Sequence, residues 1–549
     1  QADVFNLPAG PIIEILRGSI RAETGGQEPR ALEQEGCEEC HLKDAADELI
    51  YSFPKQRNDK TPETSAVLPK DEIVQSQHTI TINGKLIPYT VTTGRIVLKE
   101  ETDKKTDEAA KPEAEKPKAS IFFVAYTRDD VEDRRQRPLT FSFNGGPGSS
   151  SVWLHLGVLG PRRVNMGDAG SLLPPPYRLV DNEFSLLETS DLVFIDPVST
   201  GYSRAVPGEQ PKEFHGFKKD IESVGDFIRL YTTRYQRWLS PKFLIGESYG
   251  TTRAAGLSGY LQQRHGLFLN GIMLISSILN FQTADFHPAN DLPYILFLPT
   301  YTATAWYHRK LDPELQQDLR ATLNKVEAFA FGDYTRALML GSALPAEQRQ
   351  HIIRQLARFT GLSEDYIDRT DLRIEIFRFT KELLRAERRT VGRLDSRFIG
   401  IDRDSAGERF EFDPSMAAIM GPYTAALNDY VRSELNYESD LPYEIMTNRV
   451  RPWSYAEFEN AYVDVARTLR EAMHTNPALK VFVANGYFDL ATPYFATQYT
   501  FNHLGLDASL QGNLRMSYFE AGHMMYVHMP SLEKLKADLA DFLAWAKNL

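Results

Sequence analysis

The sequence predicts an α/β fold with a mostly parallel central sheet, antiparallel strands at its N-terminal side and an inserted helical cap. The first observation is a strand, a tight turn and a helix in direct succession over residues 243–264. The second is the alternation of apolar, strand-like runs with amphipathic helical patterns from 191 to 276. The third is the return of two strand-like runs, 480–484 and 514–518, after a long and mostly helical stretch. Strands that alternate with helices are typical of doubly wound sheets.

The composition is that of a globular protein and argues against two classes of function. The chain has 549 residues, of which 42% are hydrophobic and 25% are charged. The net charge is −12 and the basic residues are dispersed, so we expect no binding to nucleic acid. No apolar run approaches the roughly 20 residues that a membrane span needs, so we expect no membrane partner. The oligomeric state is left open, and a homodimer is one of the alternatives.

The two cysteines, Cys37 and Cys40, form a Cys-Glu-Glu-Cys motif with polar and acidic flanks. Such a motif can be redox-active or half of a metal site. Because neither a βαβ context nor a second cysteine pair accompanies it, a local disulfide or a pair of unreactive thiols is the simpler interpretation. We therefore expect no metal and no cofactor.

Four parts follow one another along the chain. Residues 1–70 are polar and weakly periodic, and they predict an N-terminal extension of low order. Residues 71–279 predict the first part of an α/β core, and residues 280–477 predict a helical cap insertion rich in aromatic side chains. Residues 478–549 predict the second part of the core, closed by a C-terminal helix.

The core opens with strands that predict an antiparallel arrangement. Asn83-Gly84 lies between two alternating runs, which is a strong signal for a β-hairpin. Pro88 lacks a backbone N–H and predicts an edge position for its strand. The charged stretch 100–118 predicts a solvated hairpin loop or a disordered tip, and further strands are expected at 120–126 and 139–143.

Two glycine-rich turns predict the catalytic machinery of an α/β hydrolase. Gly246 to Gly250 fits G-x-S-x-G, and between a strand and a helix this pattern predicts a nucleophile elbow with Ser248 exposed above the sheet. The glycines let neighbouring backbone pass close to the serine, where a Cβ would clash. The loop that begins at Asn144-Gly145-Gly146 follows an earlier strand and predicts an oxyanion loop. Taken alone, each pattern also fits an ordinary tight turn.

The base and the acid follow from chain order. A serine hydroxyl needs a base to take its proton, and the base needs a partner that fixes its tautomer. In α/β hydrolases the order is Ser, acid, His. Asp489 ends one late strand and His523 follows the last strand, so we predict that they are the acid and the base. His528 is the second candidate for the base.

Four motifs together resemble the serine carboxypeptidases, peptidase family S10. They are Asn-Gly-Gly-Pro-Gly-Ser-Ser, Gly-Glu-Ser-Tyr-Gly, Asn-Gly-x-x-Asp at a strand end, and Ala-Gly-His. The resemblance runs from about His78 to the C-terminus, and the residues around the motifs resemble bacterial members. It implies a secreted or periplasmic location, which also fits a chain that starts at Gln1 with no visible signal peptide.

The resemblance implies a role for each site residue. Ser248 would attack the scissile carbonyl, His523 would act first as base and then as acid, and Asp489 would orient His523. The backbone N–H groups of Gly146 and Tyr249 would form the oxyanion hole. Asn144 and Glu247 would bind the free C-terminal carboxylate of the substrate. The implied activity is the hydrolysis of C-terminal peptide bonds through an acyl-enzyme.

The carboxylate pocket has a physical requirement. If the Glu247 carboxylate and the C-terminal carboxylate of the substrate were both ionised, they would repel each other at hydrogen-bond distance. Glu247 must therefore bind the substrate as a neutral acid that donates a hydrogen bond. This requirement predicts an acidic optimum. Three positions depart from the family pattern: Ser149 stands where plant and fungal members have Cys, Val158 where they have Glu, and Met524 where they often have Glu. These departures concern the specificity and the pH dependence.

Two other functions remain open from the sequence. The same scaffold carries esterases and acyltransferases, and a catalytically dead binding protein would keep the fold without the chemistry. Asn144 and Glu247 favour a substrate with a free carboxylate over the first alternative, and the intact Ser248, Asp489 and His523 weigh against the second. Side chains that select the substrate residue are expected in the cap, where Tyr294, Tyr301 and Tyr307 are candidates by composition.

Overall fold

The computed structural model describes residues 69–101, 115–167 and 169–547. Predictions for residues 1–68, including those for Cys37 and Cys40, lie outside the described residues, as does most of the charged loop predicted at 100–118. The division into four parts, with boundaries at 70, 279 and 477, stays a prediction.

The strands in this part of the chain are numbered in order. They are β1 (Glu72–Ile82), β2 (Lys85–Glu101), β3 (Glu115–Arg128), β4 (Leu139–Phe143), β5 (Arg162–Val164), β6 (Leu179–Asp181), β7 (Asp191–Ile195), β8 (Arg204–Ala205), β9 (Lys242–Ser248), β10 (Gly271–Ser277), β11 (Thr390–Val391), β12 (Ile399–Gly400), β13 (Lys480–Gly486) and β14 (Leu514–Phe519).

One large sheet organises the core. Its strand order is β1-β2-β3-β7-β4-β9-β10-β13-β14, with the short β8 beside β3. The pairings from β1 to β7 are antiparallel, and every pairing from β7 to β14 is parallel. This is the α/β-hydrolase fold, and it confirms the predicted fold class. Because parallel strands end at the same edge, the loops after β4, β9, β13 and β14 meet there.

The predicted hairpin is confirmed at the start of the sheet. Ile82 pairs with Lys85, and Asn83 and Gly84 have φ angles of 51° and 73°, as a type I′ turn requires. The edge position predicted from Pro88 is wrong, because β2 lies between β1 and β3. The ladder with β3 begins one residue later, at Tyr89, so the missing N–H of Pro88 costs no hydrogen bond on that side.

The α-helices are also numbered along the described chain. They are α1 (Val152–Leu154), α2 (Phe217–Arg234), α3 (Tyr249–His265), α4 (Leu292–Tyr307), α5 (Leu319–Phe329), α6 (Thr335–Leu340), α7 (Ala346–Thr360), α8 (Glu364–Arg369), α9 (Ile376–Glu382), α10 (Pro414–Ser433), α11 (Ala466–Thr475), α12 (Tyr494–Asn502) and α13 (Met529–Lys547).

Apolar side chains cover both faces of the sheet. Along β3, Phe123 packs in the cluster that also includes residues of α2, α3 and α11, whereas its neighbour Phe122 packs in the cluster with α10 and α13. Successive residues of a strand point to opposite faces, so an apolar run of this kind is buried on both sides. The near-continuous apolar strands of this sequence are thus those of a sheet with helices on both faces.

A helical region lies between β10 and β13. Helices α4 to α9 form one apolar cluster, and Tyr249, Phe488 and Leu490 from the core belong to the same cluster. All three core residues lie in the loops and helix starts that follow sheet strands. The helical region thus packs onto the edge of the sheet where the strands end. Helix α11, also within residues 280–477, packs instead with α3 against the sheet.

Candidate active site

Ser248 occupies a strained turn between β9 and α3. Its φ and ψ angles are 61° and −130°, a region that non-glycine residues rarely adopt and that costs of order 1–3 kcal/mol. The flanking glycines make the turn possible. A Cβ on Gly246 would lie 2.1 Å from the carbonyl oxygen of Gly250, and a Cβ on Gly250 would lie 2.9 Å from that of Phe143. Ser248 itself remains partly exposed, as a nucleophile must be.

The loop after β4 lies directly against this turn. A Cβ on Gly145 would lie 2.5 Å from the backbone nitrogen of Tyr249, so only glycine permits this approach. Gly146 has a φ of +104°, which again favours glycine. Tyr249 is the first residue of α3, and its N–H therefore has no acceptor within the helix. The loop that carries Gly146 therefore lies against the helix start that carries Tyr249, and the assignment of these two residues as oxyanion donors stays a prediction.

Asp489 and His523 are joined by a hydrogen bond. Nδ1 of His523 lies 2.7 Å from Oδ2 of Asp489, although the two residues belong to different loops, after β13 and β14. The Asp489 side chain is fully buried and also accepts hydrogen bonds from the backbone of Ala491 and from the backbone and hydroxyl of Thr492. Since Nδ1 is held by the carboxylate, Nε2 is the nitrogen that can exchange a proton with a substrate or a serine.

The surroundings of His523 act on its pKa in opposite directions. Burial by itself lowers the pKa of the imidazole, but the charge and the hydrogen bond of Asp489, with a further contribution from Glu247, outweigh it and raise the pKa above its usual value. The protonated form of His523 is therefore stabilised in place, as a base in this position would require.

The second candidate for the base lies elsewhere. Nδ1 of His528 is 2.9 Å from Oγ of Ser531, next to the start of α13. His528 thus interacts with a serine of the closing helix, whereas His523 contacts the acid.

Asn144 and Glu247, the residues predicted to bind the substrate carboxylate, are hydrogen-bonded to each other. Nδ2 of Asn144 donates to Oε1 of Glu247 over 2.9 Å, and Oδ1 of Asn144 accepts from the backbone N–H of Leu154. The hydroxyl of Tyr526 donates to the other carboxyl oxygen of Glu247 over 2.6 Å. The Asn144 and Glu247 side chains are almost completely buried, with exposures of 1% and 3%.

The electrostatics of Glu247 match the requirement stated from the sequence. Burial raises the pKa of the Glu247 carboxyl to about 7, and Asp489 contributes to the rise. His523 and the hydrogen bonds from Tyr526 and Asn144 act in the opposite direction but do not cancel it. Glu247 is therefore largely protonated at acidic pH and can donate a hydrogen bond there.

A segment of the helical region contacts both the loop that carries Asp489 (the acid loop) and the loop that carries His523 (the histidine loop). The sequence did not indicate these contacts. The backbone carbonyls of Arg393 and Leu394 accept hydrogen bonds from the N–H groups of Leu490 and His523, respectively. A Cβ on Gly522 would lie 2.4 Å from the side chain of Asp395. The segment thus holds both loops in register. Backbone carbonyls carry no sequence signature, so no pattern in the chain points to this contact.

Two buried side chains beneath the site were also missed. Oγ of Ser276, at a bulge near the end of β10, donates to the carbonyl of His523 over 2.6 Å. Arg253 on α3 is 1% exposed, pairs with Asp220 over 2.8 Å and donates to the carbonyl of Asn144. An arginine on an otherwise buried helix face is the one signal that the sequence offered, because such a charge needs a partner inside the protein.

The three candidate tyrosines of the cap differ in their surroundings. Tyr301 is fully buried, stacks on Phe379 and donates to the carbonyl of Ile374, so it belongs to the core of the helical region. Tyr294 is also buried, whereas Tyr307 is 38% exposed. Its ring lies 5.5 Å from that of Phe488, the residue before Asp489. Tyr307 is thus the candidate whose ring contacts the residue next to Asp489.

Two further features concern only the described part of the chain. It contains no group of three or more His, Cys, Asp or Glu side chains arranged to hold a metal ion. Among its helices, none has both the length and the apolar character that crossing a bilayer requires.

A family model and the curated relatives described below point to the same family. The family model described as serine carboxypeptidase matches residues 112–526, which is more than half of the chain. The pheromone-processing carboxypeptidase KEX1 of Saccharomyces cerevisiae is 35% identical over 135 residues, which cover 23% of this chain and 17% of the yeast protein. Serine carboxypeptidase-like 29 of Arabidopsis thaliana is 26% identical over 177 residues, which cover 31% of this chain and 34% of the plant protein.

The crystal structure of the S. cerevisiae KEX1 carboxypeptidase aligns with a TM-score of 0.46 at 16% identity, covering 82% of this chain and 91% of the yeast chain.

Proposed function

The chain belongs to the serine carboxypeptidase family, and from this premise we propose that it removes C-terminal residues from peptides or proteins through an acyl-enzyme. Ser248 is the nucleophile, His523 the base and acid, and Asp489 the residue that orients His523. The hydrogen bond of 2.7 Å between His523 and Asp489 and the strained conformation of Ser248 support these roles.

The reaction proceeds in two halves. Oγ of Ser248 attacks the scissile carbonyl while Nε2 of His523 takes the hydroxyl proton. The N–H groups of Gly146 and Tyr249 stabilise the oxyanion that forms. His523 then passes its proton to the leaving amine, which departs as the released amino acid. In the second half, water attacks the acyl-enzyme with His523 again as base, and the shortened peptide leaves Ser248.

The observation that carries the choice of substrate is the Glu247 carboxyl. It is buried, lies next to the nucleophile in the chain, is held by Asn144 and keeps its proton up to about pH 7 because burial raises its pKa. A neutral acid that can donate to an anion is what a free C-terminal carboxylate needs. A substrate without a free carboxylate, as for an esterase or acyltransferase, would leave this donor without an anionic acceptor. Peptides with a free C-terminus are therefore the proposed substrates.

A comparison of a peptide acid with its C-terminal amide tests this function. We expect the acid to be turned over with a kcat/KM higher by about 10- to 100-fold, since a hydrogen bond to a charged group is worth about 1.5–3 kcal/mol. Labelling with a fluorophosphonate probe, run on the same preparation, confirms that the nucleophile is active. Equal turnover of the two peptides in labelled protein would instead favour the esterase or acyltransferase.

The Glu247→Gln variant tests the role of the neutral acid. In the wild type, kcat/KM for a peptide acid should fall as the pH rises through the Glu247 pKa of about 7, because the donor becomes an anion that repels the substrate. Glutamine keeps a donor at all pH values, so this alkaline limb should disappear. The acidic limb, where His523 must lose its proton to act as base, should remain.

The pH profile of kcat/KM between pH 4 and 9 gives the result directly. If the variant keeps the alkaline limb of the wild type, Glu247 is not the titrating donor. The amide peptide provides the control, because it has no carboxylate to bind and its profile should lack this limb in both proteins.

We also propose a bacterial-type member that acts outside the cytoplasm, either secreted or periplasmic. The residues around the motifs support the first point, as does Ser149, which stands where plant and fungal members have Cys. In this chain Ser149 is 1% exposed and accepts a hydrogen bond from the indole of Trp153 over 2.7 Å. Fractionation of the producing cells tests the location, and recovery of the protein only in the cytoplasm would contradict it.

A further inference from the structure

The Glu247 carboxyl is held at both of its oxygens. Asn144 donates to Oε1 over 2.9 Å, and the hydroxyl of Tyr526 donates to Oε2 over 2.6 Å. Tyr526 is three residues beyond His523, in the short helical turn Met525–Val527. A single loop after β14 therefore supplies both the base and a hydrogen bond to the neighbour of the nucleophile.

The Tyr526 ring packs directly against Gly157, which has no side chain. A Cβ on Gly157 would lie 2.3 Å from Cε2 of Tyr526 and 2.9 Å from the hydroxyl of Tyr423, so a larger residue at 157 would displace the ring. Gly157 belongs to a π-helical turn, His155–Leu159. Such turns are rare and frequently occur at functional sites.

Side chains from a neighbouring loop fix this turn. Nδ2 of Asn182 donates to the carbonyl of Val158 over 2.8 Å, and Oγ of Ser185 donates to the carbonyl of Leu159 over 2.7 Å. Both donors are fully buried. The surface on which the Tyr526 ring rests is thus rigid. The apolar side chain of Val158 cannot donate a hydrogen bond. The second donor to Glu247 is the Tyr526 hydroxyl, from the histidine loop.

The groups that face Tyr526 and Glu247 keep the phenol protonated. Burial, followed by the charge of Glu247 and by Tyr423, raises the pKa of Tyr526 far above its usual value. Glu247 is influenced by His523, Tyr526, Asp489 and Asn144. Tyr526 therefore remains a donor throughout the pH range in which the enzyme would work, whether Glu247 is neutral or charged.

We propose that Tyr526 is a positioning residue for the substrate carboxylate, acting through Glu247. Each carboxyl oxygen of Glu247 accepts one hydrogen bond from the protein, from Asn144 at one side and from Tyr526 at the other. The proton that neutral Glu247 carries is then the donor that is left for the substrate. This inference rests on the proposed carboxypeptidase function and adds the residue that orients its carboxylate pocket.

The Tyr526→Phe variant tests the proposal, since it keeps the ring on Gly157 and removes only the hydroxyl. For a peptide acid we expect KM to rise by about 3- to 10-fold, the equivalent of one hydrogen bond, with little change in kcat. The alkaline limb should also move to higher pH, because the lost donor favoured the ionised form of Glu247. The KM for the amide peptide and the rate of fluorophosphonate labelling should stay unchanged.

Tyr334→Phe is the matched control. Its hydroxyl is equally buried and donates over 2.6 Å to the carbonyl of Leu372, within the helical region. This variant loses a buried tyrosine hydrogen bond without touching the site, so its KM and pH profile should equal those of the wild type. If Tyr526→Phe also equals the wild type, or if its KM rises equally for the acid and the amide, the proposal is overturned.

A binding measurement separates this inference from the proposed function. Calorimetry with the peptide acid and its amide, in the Ser248→Ala protein with and without Tyr526→Phe, needs no turnover. We expect the acid to bind more tightly than the amide, and Tyr526→Phe to weaken only the acid. If the Ser248→Ala protein binds the acid and the amide equally and the wild type turns them over equally, the proposed function itself fails. If the acid is preferred but Tyr526→Phe changes nothing, only the role of Tyr526 fails.

Discussion

Replacement of Ser248 by alanine should lower kcat for a peptide acid by about 10⁵- to 10⁶-fold, the loss seen when a triad serine is removed. The oxyanion donors and the substrate pocket remain in the variant, so the residual rate should still exceed that of the uncatalysed reaction. Labelling by a fluorophosphonate probe should disappear completely, because the probe forms its covalent bond with Oγ of this residue. Intact-protein mass spectrometry measures the labelling, and circular dichroism verifies the fold.

Ser199 offers a matched control for this experiment. It too follows a sheet strand, has a positive φ of 73° and contacts a histidine, with Oγ 2.8 Å from Nε2 of His215. In the described part of the chain, however, no hydrogen bond joins His215 to a carboxylate. Ser199→Ala should therefore retain labelling and turnover. Persistent labelling of Ser248→Ala, with the label mapped to Ser199, would show that the wrong serine was assigned.

The Asp489→Asn variant should lose about 10⁴-fold in kcat, as expected when an amide replaces the carboxylate of the triad. Asp489 accepts from Nδ1–H of His523, and this bond leaves Nε2 unprotonated and ready to act as base. An asparagine that turns its amide towards Nδ1 stabilises the opposite tautomer. Single-turnover kinetics with an activated ester measure acylation and deacylation separately, and both should slow because His523 is the proposed base in each half of the reaction.

The same variant changes the pH dependence in a direction that can be worked out. Burial lowers the pKa of His523, and the charge of Asp489 is the main influence that raises it. Without that charge the pKa should fall, and the acidic limb of the residual activity should move to lower pH. An acidic limb that stays in place would contradict the assignment of Asp489 as the partner of His523.

Asp191→Asn is a control with a carboxylate of similar burial. Asp191 is 1% exposed and pairs with Arg137 and Arg237 at the start of β7, at the opposite edge of the sheet from the site. Its loss should lower the melting temperature, because two buried guanidinium groups lose their partner. The kcat of the folded protein should remain within a few-fold of the wild type. The two variants thus separate damage to the fold from damage to the chemistry.

Local patterns predicted several strands and helices of the sheet region closely. The predicted strand 139–143 coincides with β4, and the helix predicted over 251–264 lies within α3. Such elements are readable because an apolar run or a 3.6-residue period is a property of neighbouring residues. The order Ser248, Asp489, His523 was readable for a related reason: in a parallel sheet, residues at the ends of successive strands share one edge.

Contacts between segments far apart in the chain could not be predicted from the sequence. The carbonyls of Arg393 and Leu394 that hold the acid and histidine loops act through the backbone, and any residue type would serve. The position of β2 beside β3 overruled the edge prediction from Pro88, because the proline falls one residue outside the ladder. In each case the deciding partner lies far away in the chain, and no local propensity encodes it.

The sequence by itself determined the fold class, the family and the candidate triad, because each depends on short motifs and on the order in which they occur. Only the tertiary structure decided how the site is tuned. Burial of Glu247 raises its pKa to about 7, and burial arises from the packing of several loops at once. The bond from Tyr526 to Glu247 joins residues 279 positions apart and requires the space over Gly157. Free energies of desolvation and long-range hydrogen bonding exist only once the chain has folded, which is why the motifs identify a candidate nucleophile but not the protonation state of the carboxyl beside it.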